Sequence, residues 1–223
     1  MEQAMDSAAS RAERPNAGWK LALPGYRFTF PRDHGSHPDY ATEWWYYTGH
    51  LRARNRSFGF ELTLFRIGLE REAPRNPSRW AFREVFLGHF ALTDENGRAF
   101  YFWERAARPA LGMAGADVGR LNVWIRDWRV RMEGDTHVLH AAGDAASGVE
   151  EDAAPSHSPP PSLSLELRPA KPLVIHGENG VSQKAVGLGR ASHYYSFTRL
   201  VGAGEIILAG ERSPVNASVW MDH

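Results

Sequence analysis

Glu43 is followed directly by two tryptophans and two tyrosines, and this grouping could protonate an apolar molecule and shelter the resulting cation. A carboxyl group buried against rings has a raised pKa and can donate a proton, and indole faces attract cations. Hydration of an isolated alkene needs both a proton donor and a group that stabilises the resulting cation. On a strand, Glu43 and Trp45 face one way while Trp44 and Tyr46 face the other. The alternative interpretation is a packed aromatic strand whose Glu43 pairs with Arg66.

The last residues of the sequence offer a second acid–base candidate. Asp222 and His223 place a carboxylate beside an imidazole, and Trp220 precedes them. Neighbouring residues on a strand point to opposite faces, so both enter one pocket only if the strand is bulged. His176, in a glycine-rich turn, could orient a water molecule or could be structural. The candidate catalytic residues are Glu43, Asp222, His223 and His176.

Further candidates for ligand binding lie on alternating segments. Alternation places Tyr194 on one face of its strand and Tyr195 and Arg199 on the other. Arg199 could bind a polar head group or pair with Glu43 or Glu61. His89 either faces the ligand or is a hydrogen-bonded core histidine. The candidate binding residues are Trp44, Trp45, Tyr46, His89, Tyr194, Tyr195, Arg199 and Trp220.

Other kinds of chemistry find little support in the sequence. The histidine pairs 34/37 and 137/140 are spaced three apart, which separates them on a strand, and the metal-binding HExxH pattern is absent, so we predict no metal and no cofactor. No GxSxG motif marks a serine nucleophile. The 26 basic and 26 acidic residues form no basic footprint for nucleic acid. No apolar run approaches the roughly 20 residues of a membrane span.

The elements that must position these residues are β-strands. Alternating segments separated by turns recur along the chain, 21 glycines and 14 prolines favour turns over helices, and only residues 104–116 have a helical look, over a turn or two. The turns at 54–56 and 94–97 predict hairpins. Many strands at hairpin spacing predict an all-β protein, either a closed antiparallel barrel or a sandwich.

Several segments, taken together, resemble the AttH and carotenoid 1,2-hydratase type of protein. The longest is HPDYATEWWYYTGHL at 37–51, which is similar to the family's HP…TEWWY.TG.L block. The other matching blocks, in family order, are 58–66, 88–94, 173–184, 192–200 and 220–223.

The resemblance implies a lipocalin-like antiparallel β-barrel that is the first of a tandem pair. On this view residues 1–18 form an N-terminal arm, 19–215 the barrel, and 216–223 the start of a linker to a second, C-terminal barrel that the chain lacks and that would be its partner. Residues 141–161, rich in proline and acidic side chains, are predicted to be a loop excursion. Relatives are often exported, but no signal peptide begins this sequence, so the compartment is left open.

The resemblance also implies a function. We expect a cofactor-independent hydratase or lyase acting on a hydrophobic, isoprenoid-like small molecule. The alternatives are a lipocalin-like carrier of a hydrophobic ligand, an accessory protein of export, or an AttH-type protein of the kind sometimes described as a secreted hydrolase.

Overall fold

The computed structural model describes residues 18–71, 83–144 and 160–223. In these residues a short 3-10 helix, Arg32–His34, precedes strands β1 to β14. The strands are, in chain order, Thr42–Arg52, Ser57–Gly68, Glu84–Asp94, Ala99–Ala107, Ala114–Ala116, Asn122–Ile125, Trp128–Glu133, Thr136–Ala142, Ser162–Pro169, Val174–Ile175, Val181–Gln183, Ala191–His193, Tyr195–Leu208 and Glu211–Asp222.

The main sheet is antiparallel and bends into a nearly closed, lipocalin-like barrel. Its strand order is β4-β3-β2-β1-β14-β13-β9-β8-β7-β6-β5, with β10 added beside β13, while β11 and β12 form a separate hairpin. The two ends of this order approach each other, because β6 contacts β2, β3 and β4. Arg105 of β4 spans the seam by bonding Asp127 and, at 2.9 Å, Asp144. The prediction of an all-β lipocalin-like barrel is confirmed.

Alternation along the strands separates a packed interior from the outer surface. On β1, Glu43, Trp45 and Tyr47 are buried, whereas Trp44 and Tyr46 are only half-buried on the outside. The interior is filled by large apolar side chains from all around the barrel. Because the centre of the barrel is filled, a ligand would have to bind at the end of the barrel.

Pairing of β1 with β14 brings the beginning and the end of the described chain together. Tyr46 lies opposite Asp222, and Glu43 lies opposite Arg66 on β2. The segment before β1 packs against the same end of the barrel, since Trp45 Nε1 donates to the carbonyl of His34 at 3.1 Å and a ring nitrogen of His34 bonds the Tyr195 hydroxyl at 2.7 Å. This end holds the candidate site.

Among the local predictions, two hairpin turns are confirmed and one helical segment is wrong. The hairpin turns at 54–56 and 94–97 are confirmed by the β1–β2 and β3–β4 connections. The helical look of 104–116 is wrong, since those residues complete β4 and include β5. Residues 1–17 of the predicted arm and 145–159 of the predicted excursion lie outside the described residues. Within the described ranges no helix is long and apolar enough to cross a membrane.

Candidate functional site

Glu43 is the centre of a buried polar cluster where β1 begins. Its Oε2 accepts hydrogen bonds from Arg66 Nε at 2.8 Å and from the Ser36 hydroxyl at 3.0 Å. Its Oε1 accepts from the backbone N–H of His37 at 2.6 Å and lies 2.8 Å from Nδ1 of the same residue. Both carboxylate oxygens are thus fully engaged by donors.

The protonation state of Glu43 follows from these partners. Burial acts to raise its pKa, but the His37 hydrogen bond and the neighbouring His223 and Arg66 outweigh it and lower the pKa to about 2. The expectation that burial would raise this pKa and make Glu43 a proton donor is therefore wrong. The pairing with Arg66, named above as the alternative, is confirmed.

His37 stands between two carboxylates. While Nδ1 faces Glu43, Nε2 makes longer contacts, 3.3 Å to the Tyr26 hydroxyl and 3.5 Å to Asp33 Oδ1. Asp33 is fully buried and also accepts from the backbone N–H of Thr29 at 2.7 Å. Burial acts to lower the pKa of His37, but the hydrogen bond to Glu43 and the nearby carboxylates prevail and raise it. The surroundings of His37 thus favour the protonated form of its ring.

His223 completes the cluster from the other end of the chain. It follows β14 and pairs with Tyr195 through backbone bonds of 3.1 and 3.0 Å. Its ring stacks on Trp45, with centroids 4.9 Å apart, and its Nδ1 lies 2.8 Å from the carbonyl of Trp44. Burial lowers the pKa of His223 although Glu43 opposes this. Because a carbonyl oxygen only accepts, Nδ1 is the donor in the contact with Trp44.

A cavity of about 340 Å³ opens above this cluster. His37, Glu43 and His223 form part of its lining. The aromatic residues in its lining are Tyr26, Phe28, Tyr40, Trp44 and His193. A volume near the lower end of the roughly 300–1,000 Å³ of ligand pockets suits a short apolar molecule.

The same cluster contains a possible set of metal ligands. One nitrogen or oxygen atom from each of His37, Glu43 and His223 lies within 4.8 Å of the others. The histidine pairs considered in the sequence do not form this group, because it combines His37 and Glu43 of one segment with His223 from the other end of the chain.

A second polar cluster lies on the outer face of the same strands. The Ser196 hydroxyl donates to Asp222 and lies 2.7 Å from Nε2 of His176, whose ring stacks on Tyr194 with centroids 4.4 Å apart. Trp220 Nε1 donates to Asp222 at 2.5 Å. The structure thus brings Asp222 and His176 together, but on the face opposite to Glu43 and His223, as alternation predicted.

The remaining binding candidates are dispersed. Tyr195 is fully buried with its hydroxyl on His34, and Tyr46 lies on the outer face. A register shift between Phe197 and Leu200 turns Arg199 outward, so the prediction that it shares a face with Tyr195 is wrong. His89 lies on the outside of β3, 3.1 Å from Glu104. Of the predicted aromatic residues, Trp44 lines the cavity, while Trp45 packs behind His223.

Sequence reasoning missed His37, Asp33 and Tyr26 as site residues. His37 opens the longest family-like block, which was the available indication. Tyr26 lies in the segment before β1 and Asp33 in its short 3-10 helix, and no periodicity reveals the course of this segment over the barrel end.

The fold and site define a lipocalin-like antiparallel barrel with an aromatic-walled cavity at one end. A sequence profile of the AttH-like family matches residues 21–223, and the chain belongs to this family.

Solved structures agree with this assignment. An AttH protein from Nitrosomonas europaea is similar to the chain with a TM-score of 0.75 and 30% sequence identity, over 91% of this chain and 57% of that one. Kievitone hydratase from Nectria haematococca has a TM-score of 0.57 and 10% identity, over 92% of this chain and 54% of that one, which shows a shared fold. The chain spans little more than half the length of each. No curated protein sequence matches it.

Proposed function

We propose that the protein is a hydratase- or lyase-type enzyme that adds water to, or removes it from, a hydrophobic, isoprenoid-like small molecule bound in the cavity. The observation that carries the proposal is the imidazole of His37, held between two buried carboxylates at the floor of an aromatic-walled pocket. The proposed chemistry needs no cofactor. The hydratase among the structural neighbours shares the fold, and its activity serves here only as an analogy.

His37 Nε2 is the proposed proton donor. Its contacts to Tyr26 and Asp33 are long, at 3.3 and 3.5 Å, so its proton can pass to a ligand more readily than the one held against Glu43. Hydrogen bonds of catalytic groups are often long before the substrate binds. Glu43 and Asp33 then stabilise the charged ring and fix its orientation.

The proposed reaction conserves protons. His37 transfers a proton to one alkene carbon, which leaves a carbocation at the other, and water attacks that carbon. The attacking water returns a proton to His37, so the sum is one water added. Trp44 and Tyr40 are among the residues that line the cavity where the cation would form, and cation–π attraction to an aromatic ring contributes about 0.5–2 kcal/mol at such a site.

A test begins with native mass spectrometry of the protein from its own host to identify a bound apolar molecule. That molecule is then incubated with wild-type protein and with His37→Gln in oxygen-18 water. We expect wild type to incorporate labelled oxygen and His37→Gln to bind the molecule but lose about 10²–10⁴-fold in rate, the usual contribution of a general acid. His50→Gln, on an exposed outer position of β1, is the matched control.

A carrier without chemistry is the second candidate function. The observation in its favour is the Arg66–Glu43 ion pair, which gives the pocket carboxylate a structural partner. Tight binding of the molecule by wild type, with neither incorporation of labelled oxygen nor loss of water from the molecule, would favour the carrier and remove the enzyme proposal.

A further inference from the structure

Three atoms that commonly bind metals converge on the floor of the cavity. They belong to His37 in the loop before β1, Glu43 on β1 and His223 after β14, and they lie within 4.8 Å of one another. An ion at about 2.0–2.2 Å from each could lie between atoms so spaced after small side-chain movements. All three residues line the cavity, so such an ion would have an entry path and an open side.

The other polar atoms of these residues are already fixed by neighbours. His37 Nε2 points to the buried carboxylate of Asp33 at 3.5 Å, and His223 Nδ1 lies 2.8 Å from the carbonyl of Trp44. Glu43 Oε2 is held by Arg66. Metal-binding histidines typically donate their second ring N–H to a carboxylate or a carbonyl, and ligating carboxylates are themselves hydrogen-bonded. The atoms that would face an ion are His37 Nδ1, Glu43 Oε1 and the second ring nitrogen of His223. An ion there would have to be accommodated beside the His37 backbone N–H that bonds Glu43 Oε1 and beside the Gly35 backbone that bonds the His223 ring.

We infer that His37, Glu43 and His223 bind a divalent transition-metal ion of the zinc type, which takes the place of the proton between His37 Nδ1 and Glu43. Two imidazole nitrogens and one carboxylate oxygen suit zinc better than calcium or magnesium, which favour all-oxygen sites. Three protein ligands with a fourth side open to a cavity are the arrangement of sites that keep a position for water or a ligand. This departs from the sequence-based expectation of no metal.

The charges around the trio set the expected affinity. Arg66 opposes a cation beside Glu43, but Glu84 lies 3.3 Å from that guanidinium and shares its charge. Asp33, behind His37, favours the ion. Replacing Asp33 by Asn should therefore weaken zinc binding by about 10–100-fold, the usual effect of losing such an outer partner.

The experiment is a calorimetric titration of the metal-free chain with zinc chloride. We expect one ion per chain, and a loss of affinity of at least about tenfold in His37→Gln and in His223→Gln. His193→Gln is the matched control, because His193 lines the same cavity outside the trio. Equal zinc affinity in wild type, His37→Gln and His223→Gln would overturn the inference, and so would the absence of binding to wild type.

A second measurement uses only the wild-type chain, so it tests the inference even if the histidine variants fail to fold. Cobalt(II) added to the isotope-labelled wild-type chain should broaden the ring signals of His37 and His223 before those of other histidines. Broadening that begins at the exposed His50 would overturn the inference. Zinc on His37 Nδ1 would exclude the charged His37 ring of the proposed reaction, so the two proposals describe alternative states of one site and we expect turnover from the metal-free chain. Zinc binding without turnover in the metal-free chain removes only the enzyme proposal, and turnover without zinc binding removes only this one.

Discussion

The inner and outer faces of β1 and β14 carry two polar clusters built from neighbouring residues. Inside, Glu43 is 7% exposed and is held by a guanidinium, a hydroxyl and His37. Outside, Asp222 is half-buried and receives bonds from Ser196 and Trp220, with no cation among these partners. The one-residue step from His223 to Asp222 therefore separates a charged, cavity-lining site from a partly buried polar cluster on the outer side of the sheet, where Ser196 is itself fully buried.

The difference lies in what stands in the middle of each cluster. In the inner cluster an imidazole lies between two carboxylates, an arrangement that can hold and transfer a proton. In the outer cluster the hydroxyl of Ser196 lies between His176 and Asp222. A Ser-His-Asp hydrolase needs the imidazole in that place, so the outer cluster lacks the geometry of a hydrolase despite its composition. The burial of the carboxylate, the presence of a cation beside it and the identity of the central group together distinguish the two clusters.

Removing the inner cation should have the largest effect. Arg66→Ala leaves the Glu43 carboxylate buried without its guanidinium, which should lower the free energy of unfolding by about 3–5 kcal/mol. Urea denaturation at neutral pH measures the change. The matched control is Arg212→Ala, which breaks an exposed pair with Glu205 and should cost less than about 1 kcal/mol. Equal losses in the two variants would contradict the inner–outer distinction.

Acid should destabilise the folded barrel through His137 in its interior. The Nδ1 atom of His137 lies 2.8 Å from the Tyr47 hydroxyl. Burial, with His34 adding to it and Asp135 opposing, lowers the pKa of His137 to about 3. As pH falls, the unfolded chain takes up a proton from about pH 6.5 while the folded chain does not, so stability decreases from there down to the folded pKa.

The expected loss is about 2 kcal/mol of unfolding free energy per such histidine between pH 7 and pH 5. Urea denaturation at both pH values measures it. His137→Gln should remove that part of the pH dependence. His140→Gln, on the outer side of the same strand, should leave it intact, because His140 bonds the exposed Ser164. A pH dependence unchanged in His137→Gln would contradict the assignment.

Much of the fold could be predicted because it depends on local patterns. Alternation on β1 placed Glu43 and Trp45 on one face and Trp44 and Tyr46 on the other, and the turn at 94–97 marked a hairpin. Alternation failed where the backbone departs from it. The register shift between Phe197 and Leu200 reverses the face of Arg199, and nothing local in the sequence predicts a bulge.

The candidate site was harder to predict, since its parts meet only through tertiary structure. Glu43 and His223 were identified from residue type and family-like motifs, but the depressed pKa of Glu43 depends on Arg66, His37 and His223 lying around it. Those contacts join three segments distant in sequence. A motif can identify the residues of such a site, but only the sheet register brings them together and sets their charge.

Ser196→Ala tests the outer cluster at its centre. The change removes the hydroxyl that links His176 to Asp222, and the loss of one hydrogen bond to a charged group corresponds to about 1.5–3 kcal/mol of stability. We expect a value at the low end of this range, because Asp222 keeps its bond from Trp220. Chemical denaturation gives the number, and oxygen-18 incorporation should be unchanged. A loss of turnover without loss of fold would place the chemistry on the outer face instead.

Trp220→Phe should have the smallest effect. It removes the indole N–H that donates to Asp222 but keeps an aromatic ring on a surface where Trp220 is 37% exposed. Water can replace the lost donor, so we expect about 0.5–1 kcal/mol less stability by urea denaturation. Trp44→Phe is the comparison at the cavity, because Trp44, although half-buried on the outer side of β1, is among the residues that line it. It should weaken ligand binding more than Trp220→Phe does, and the reverse order would mean that the ligand binds outside the barrel's end.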